Sequence, residues 1–231
     1  MKRAWVPRLA LAAMAAQALF TLDWIVNGFL TERWSFFDNT ISDIGALEAD
    51  QAAVYNVLLS LSGLLTLALP VALLLWFGRA SRLLVAGAVS IAVFGVGQFL
   101  DGLLREDCWP TTDGACRAAM EAGDLSWHHT GHEIESVLTV LALVASTVLL
   151  ALAFRRIEGW EDISAPSWAA FIFLVGGFAA FVPLYDDSAR GVGLVQKLAV
   201  TVGVGWLAYV AGRLWSVSSS EAEDRSTELA R

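Results

Sequence analysis

Six long apolar stretches follow one another along the chain, separated by polar segments. They cover residues 9–30, 52–77, 83–104, 128–154, 167–185 and 192–214. Their lengths are close to the roughly 20 helical residues that cross a bilayer core, and they lack the strict alternation of a transmembrane strand. The pattern predicts an all-α, polytopic integral membrane six-helix bundle over residues 1–215. Residues 216–231 are rich in Ser and acidic side chains, which predicts a disordered acidic cytoplasmic tail.

The first apolar stretch has two interpretations. Two basic residues at positions 2 and 3, an apolar run and the sequence Ala16-Gln17-Ala18 are typical of a cleavable signal peptide. The run continues to Leu30, however, and this is longer than the apolar part of a signal peptide. The length favours an uncleaved first helix, with cleavage as the alternative.

Composition and charge place the protein in a membrane and orient it there. Hydrophobic residues make up 57% of the chain and charged residues 16%, beyond the range of ordinary soluble domains, so we expect a multi-pass protein of the cell membrane that contacts the lipid bilayer. Ten basic residues fall on the side of the termini, and four lie in the opposite loops, namely Arg33, Arg105, Arg117 and Arg190. The positive-inside rule therefore predicts cytoplasmic termini.

The loops on the predicted outer side, residues 31–51 and 105–127, carry many Asp and Glu residues. Such loops repel polyanions, which argues against nucleic acid as a partner.

Polar side chains interrupt the apolar stretches near the same predicted outer end. Because such groups are costly in hydrocarbon, a shared depth predicts one shared pocket. The predicted pocket residues are Asp23, Asn56, Gln98, Asp101, His132, Asp186 and Lys197. Lys197 is the basic residue that lies well inside a segment, and it is expected to form an ion pair with Asp23 or with Asp101.

His128 and His132 are four residues apart and share one face of the fourth helix. Together with Asp101 they are candidate ligands for zinc, and Glu133 is the candidate general base of a hydrolytic site. The alternative is a hydrogen-bonded helix start without a metal ion, with Asp124 or Ser126 as the capping residue.

The chain has two cysteines, Cys108 and Cys116, both in the second predicted outer loop. An even pair on the oxidising side of a membrane favours a disulfide. Two alternatives stay open: two free thiols, or a zinc site shared with His128 and His132, for which the seven-residue gap between the cysteines is wider than usual.

Several short motifs resemble a known family. They are Phe37-Asp38-Asn39-Thr40-Ile41-Ser42-Asp43-Ile44-Gly45, then Tyr55-Asn56, and Gly193-Leu194-Val195-Gln196-Lys197 with Trp206 further on. This pattern, which extends over about residues 8 to 215, resembles the prokaryotic membrane proteins catalogued as domain of unknown function 998. The resemblance implies six helices and an unassigned activity.

Three functional hypotheses follow from these residues. The first is an outward-facing polar pocket that binds a small molecule or a lipid headgroup without chemistry. The second is a membrane-embedded, metal-dependent hydrolase that uses the His128/His132 pair. A proton-coupled transporter is the third and has the least support, since the sequence contains no repeat and no polar path to the cytoplasm.

Overall fold

The computed structural model describes residues 2–187 and 189–229, and within them every regular element is helical. Six helical spans of these residues are long and apolar enough to cross a membrane. The predicted all-α, six-span architecture is therefore confirmed.

Within residues 2–187 and 189–229 there are eight α-helices, seven in the spans and one in a connecting loop. They are α1 (Val6–Leu30), α2 (Ala52–Thr66), α3 (Ala68–Phe77), α4 (Arg82–Asp101), α5 (Gly114–Ala122), α6 (Trp127–Phe154), α7 (Ser164–Asp186) and α8 (Val192–Leu229). Short 3₁₀ turns occur at Lys2–Trp5, Ser42–Gly45 and Glu161–Ile163.

The second span is divided into α2 and α3 at Leu67. Pro70 follows three residues later and has no N–H to donate to the carbonyl of Thr66, so the helical hydrogen-bond ladder is interrupted at this point. The bend is thus encoded by a single residue that is visible in the sequence.

The last helix is longer than the sequence predicts. In place of the predicted disordered tail, α8 continues to Leu229, whereas residues 230 and 231 lie outside the described part of the chain. The segment contains good helix formers such as Glu221 and Ala222, and a helix that is already anchored in the bundle needs no new nucleus to extend.

The core of the bundle forms where α4 packs on α6, α1 packs on α2 and α8, and α7 packs on α6 and α8. Small residues permit the closest approaches. At Gly63 of α2 an added Cβ would lie 2.4 Å from the backbone nitrogen of Phe99 in α4, so these two helices touch through their backbones. Large buried side chains, including Tyr55, Leu59, Ile91 and Phe154, fill the space between the helices.

The loops of residues 31–51 and 102–126, together with the turn between α7 and α8, lie at the same end of the bundle. We call them the cap. They join one another directly: Leu47 N donates to Glu106 O at 2.9 Å, and Leu194 N donates to Phe37 O at 3.0 Å. The polar residues of the helix ends beneath the cap form the site described next.

Candidate functional site

The cap is organised around the buried carboxylate of Asp43. Its Oδ2 accepts hydrogen bonds from Thr40 N at 2.8 Å, Asn39 Nδ2 at 2.8 Å and Thr111 Oγ1 at 2.9 Å. The carbonyl oxygen of Asp43 accepts a further bond from the indole of Trp109 at 2.8 Å. Burial raises the pKa of Asp43, and the bonds from Asn39 and Thr111 oppose that rise. This one residue therefore ties the first loop to the second.

The first loop is also tied to the start of α8. Ile41 N donates to Gln196 Oε1 at 2.7 Å, and Lys197 Nζ donates to Asn39 O at 2.5 Å and to Gly193 O at 3.3 Å. At Gly193 an added Cβ would lie 2.0 Å from the same Asn39 oxygen, so only glycine permits this contact.

The predicted ion pair of Lys197 is wrong. The Lys197 ammonium lies over the Trp34 ring at 4.5 Å and over the Phe36 ring at 5.4 Å, and it makes no ion pair among the described residues. Backbone carbonyls and aromatic faces contact the cation directly, and the carboxylates of Asp43 and Asp38 attract it from beyond ion-pair distance. Asp23 instead accepts a bond from Asn27 Nδ2 at 2.5 Å, and Asp101 pairs with a histidine.

The second loop contains the predicted disulfide. Cys108 and Cys116 are bonded with their α-carbons 5.8 Å apart, which excludes the zinc site that was considered for the cysteines. On the other side of the loop, Asp107 accepts bonds from the backbone N and the hydroxyl of Ser126, at 2.6 and 2.7 Å. Ser126 in turn caps α6 through His129 N.

A cluster of ionisable side chains lies where α4 ends and α6 begins. His132 Nδ1 is 2.9 Å from Asp101 Oδ1 and 3.0 Å from Leu104 O, while Nε2 is 3.5 Å from Glu106 Oε1 and 3.4 Å from the Ser136 hydroxyl. His132 and Glu106 are each only 5% exposed. Burial raises the pKa of Glu106 well above its usual range, against the opposing effect of His132.

Glu135 completes the cluster from one turn further along α6, where its carboxylate accepts a hydrogen bond from Thr139. Potential ligand atoms of Asp101, His132 and Glu135 all lie within 4.8 Å of one another. One carboxylate oxygen of Glu135 and one of Glu106 are buried without a hydrogen-bond partner. Such atoms are costly unless a proton or a ligand satisfies them.

The predicted His128/His132 pair does not form. The His128 ring stacks on Trp127 with centroids 3.7 Å apart, and His128 is not part of the group around His132. His128 and His132 share a helix face by spacing, but the indole next to His128 offers its ring a closer partner. Glu135, which the sequence-based prediction did not include, takes the place of His128; the signal for it is an acidic residue inside an apolar helix.

Two cavities adjoin the cluster. The outer one, of about 260 Å³, has a polar wall made of Thr40, Ser42, Glu106, His132, Glu133, Ser136, Asp186 and Gln196. The inner one, of about 100 Å³, is lined mainly by apolar side chains and reaches Gln98 and Asp101. Ser42, Ser136 and Gln196 line both, so the two spaces meet at these residues.

The structure thus brings some of the predicted pocket residues together and separates others. Asp101, Gln98, His132, Asp186 and Glu133 line the two cavities. Three further residues, Asn56, Asp23 and Lys197, do not line either cavity: Asn56 donates to Gly45 O at 3.0 Å, and the other two make the contacts given above.

A family model described as "Protein of unknown function (DUF998)" matches residues 13–213. The chain belongs to the DUF998 family. No curated protein and no solved structure shows significant similarity to it. The match covers the cap, the ionisable cluster and both cavities.

The motifs that carry the DUF998 resemblance meet in space. Asn39 and Ile41 of the first motif contact Lys197 and Gln196 of the last, as described above. Gly45, which ends the first motif, has no room for a side chain, because an added Cβ would lie 2.4 Å from Asn56 Oδ1. In this member of the family the motifs build the cap.

Replacing Asp43 by alanine is expected to destabilise the protein by at least about 3 kcal/mol, since three buried donors lose their acceptor and each costs about 1–3 kcal/mol. Thermal unfolding in detergent micelles measures the loss. Asp50→Ala is the matched control, because Asp50 is an exposed residue of the same loop. Equal melting temperatures for the two variants would refute a central role of Asp43.

Proposed function

We propose that this DUF998 protein binds a small molecule or the head of a lipid-like amphiphile in the two joined cavities. The observation that carries the proposal is the junction at Ser42, Ser136 and Gln196, which connects an outer space with one polar and one apolar wall to an inner space lined mainly by apolar side chains. Together the two spaces exceed about 300 Å³, the lower end of the range for small-ligand sites. A polar wall next to an apolar space suits an amphiphile.

The position of the cavities supports the same function. The outer cavity is bounded by the beginning of α6 and the end of α7, which supports a position near one surface of the membrane. Val137 and Val182 line it and are themselves 60% and 55% exposed, so part of its wall faces the region that lipid occupies. An amphiphile reaches such a site without leaving the bilayer.

Blocking the junction tests this proposal. Octylamine, octanol and octanoate, each below its micellar concentration, serve as probes in equilibrium dialysis against protein in lipid nanodiscs, with empty nanodiscs as the partition control. We expect saturable binding of at least one probe and a loss of at least about tenfold in Ser136→Trp, because the indole fills the junction.

Ile134→Trp is the control for this experiment, since Ile134 is on the same helix but 60% exposed. Its binding should match that of the unmodified protein. The proposal fails if none of the probes binds saturably, or if Ser136→Trp binds as well as Ile134→Trp.

Cytoplasmic termini and an outward-facing cap belong to the same proposal. The excess of basic residues at the opposite end of the bundle and the disulfide in the cap both support this orientation. A fluorescent protein fused after residue 231 should fluoresce in the cytoplasm, whereas a periplasm-active phosphatase fused there should be inactive. The reverse pattern would place the cap inside the cell.

A metal-dependent hydrolase is the second candidate function, favoured by the Asp101–His132–Glu135 group. One nitrogen and two carboxylate ligands suit zinc and leave a fourth position open to water. Ligand atoms of a tetrahedral zinc site lie about 3.3–3.6 Å apart, given bonds of about 2.0–2.2 Å. Atoms separated by up to 4.8 Å therefore need to move inward by about 1 Å. Glu133, on the wall of the outer cavity, keeps its predicted role as general base.

Metal analysis of gently extracted protein tests the zinc site. We expect about one zinc per chain, lost in His132→Ala and in Glu135→Gln because each removes one of three ligands. His128→Ala is the matched control and should retain the metal, since His128 stacks on Trp127. Protein that contains no zinc and takes up none when it is added would eliminate this candidate, and so would equal losses in all three variants.

A further inference from the structure

The polar wall of the outer cavity is strongly acidic. Glu106, Glu133 and Asp186 contribute carboxyl groups to it, and His132 is the only basic side chain among the described lining residues. Asp101, on the adjoining inner cavity, already pairs with His132 at 2.9 Å. His132 therefore lies between Asp101 and Glu106, at 2.9 and 3.5 Å, and among the described lining residues Glu133 and Asp186 have no basic partner on the cavity wall.

One arginine approaches this region from the second loop. Arg117 donates to Tyr185 O at 2.5 Å, and its guanidinium lies 4.9 Å from the centre of the Tyr185 ring. Tyr185 lines the cavity, but Arg117 itself does not. One arginine behind the wall faces two acidic residues on it, Glu133 and Asp186, and this excess of acidic groups favours a positively charged occupant.

The apolar side of the same cavity faces α7 and the lipid. Phe181, Val182 and Val137 form it, and the two valines are more than half exposed. Tyr185 and Asp186, which are adjacent in the sequence, both line this cavity. A cation placed there can contact carboxylates and an aromatic ring together, and both attract positive charge.

We propose that the occupant of the outer cavity is a single-chain amphiphile with a positively charged amine head, which enters from the bilayer between α6 and α7. Its ammonium group lies between Glu133 and Asp186, and its chain passes Val182 toward the lipid. This inference rests on the proposed function and adds the charge of the ligand and its route. The lipid-facing wall distinguishes it from a soluble amine, which would approach through the cap.

The three octyl probes, in the nanodisc dialysis already described, test the charge. Octylamine should bind at least about tenfold more tightly than octanol, because the carboxylates attract its ammonium group. Octanoate should bind most weakly, because the same carboxylates repel its negative charge. Glu133→Gln combined with Asp186→Asn should weaken octylamine by about tenfold and leave octanol unchanged. The matched control combines Glu121→Gln with Asp124→Asn, exposed residues of the second loop that line neither cavity.

Two variants of α7 test the route by which the ligand enters. Val182→Trp should slow octylamine binding by about tenfold or more, because the indole covers the opening between α6 and α7. Val175→Trp is the control, two turns deeper on the same face of α7, 44% exposed and outside both cavities. Ethylamine, which has almost no chain, should not bind measurably.

The outcomes distinguish a failure of this inference from a failure of the proposed function. If octanol or octanoate binds as tightly as octylamine, the proposed cationic head is refuted, but the proposed binding site is not. Equal rates for Val182→Trp and Val175→Trp, or binding of ethylamine as tight as that of octylamine, overturn entrance from the bilayer. Absence of saturable binding by all three octyl probes defeats the proposed function itself.

Discussion

The buried carboxylate of Asp43 is the constraint on which the architecture of the site depends. A carboxyl group that is removed from water must obtain its hydrogen bonds from the protein, and here the donors come from both loops of the cap. The bonds of Asn39 and Ile41 then extend this arrangement to Lys197 and Gln196 on α8. Loops that would otherwise be mobile are thereby held as one structure over the helix ends.

The fold of the cap determines which polar side chains line the cavities. Ser42 directly precedes Asp43, and Glu106 lies on the loop that Thr111 and Trp109 tie to Asp43. With the end of the bundle covered, the exposed residues of the outer wall are Val137, Val182 and Asp186, and the two valines form part of its apolar side. The proposed ligands are therefore ones that are already dissolved in the bilayer.

The sequence predicts the spans well because each depends on a local property, the length of an apolar run. The disulfide is equally local, as two cysteines share one loop. The contacts of Lys197 depend instead on how a distant loop folds: Trp34, Phe36 and the Asn39 carbonyl are more than 150 positions away, and no periodicity points to them. The sequence shows only that Lys197, Asp23 and Asp101 lie at a similar depth, and this predicts a carboxylate partner for Lys197.

The histidines illustrate the same limit at short range. The four-residue spacing of His128 and His132 is compatible with a common ligand, yet the neighbouring indole of Trp127 engages His128. Glu135 could have been identified, because an acidic residue two turns into an apolar helix is rare without a function. Glu106 could not, since nothing in a loop sequence fixes which of its acidic residues turns inward.

The balance of charge around His132 explains why a metal ion and an amine are both reasonable occupants of one region. Asp101, Glu106 and Glu135 surround a single imidazole, so one positive charge faces three carboxyl groups. Burial makes excess negative charge costly, and it is relieved by protons or by a cation. A divalent ion would relieve it at the deep group of Asp101, His132 and Glu135, whereas an ammonium would relieve it at the wall formed by Glu133 and Asp186. The two positions use different ligands, but they adjoin each other and Glu133 is also the proposed general base, so the two cations would compete for the same excess of negative charge.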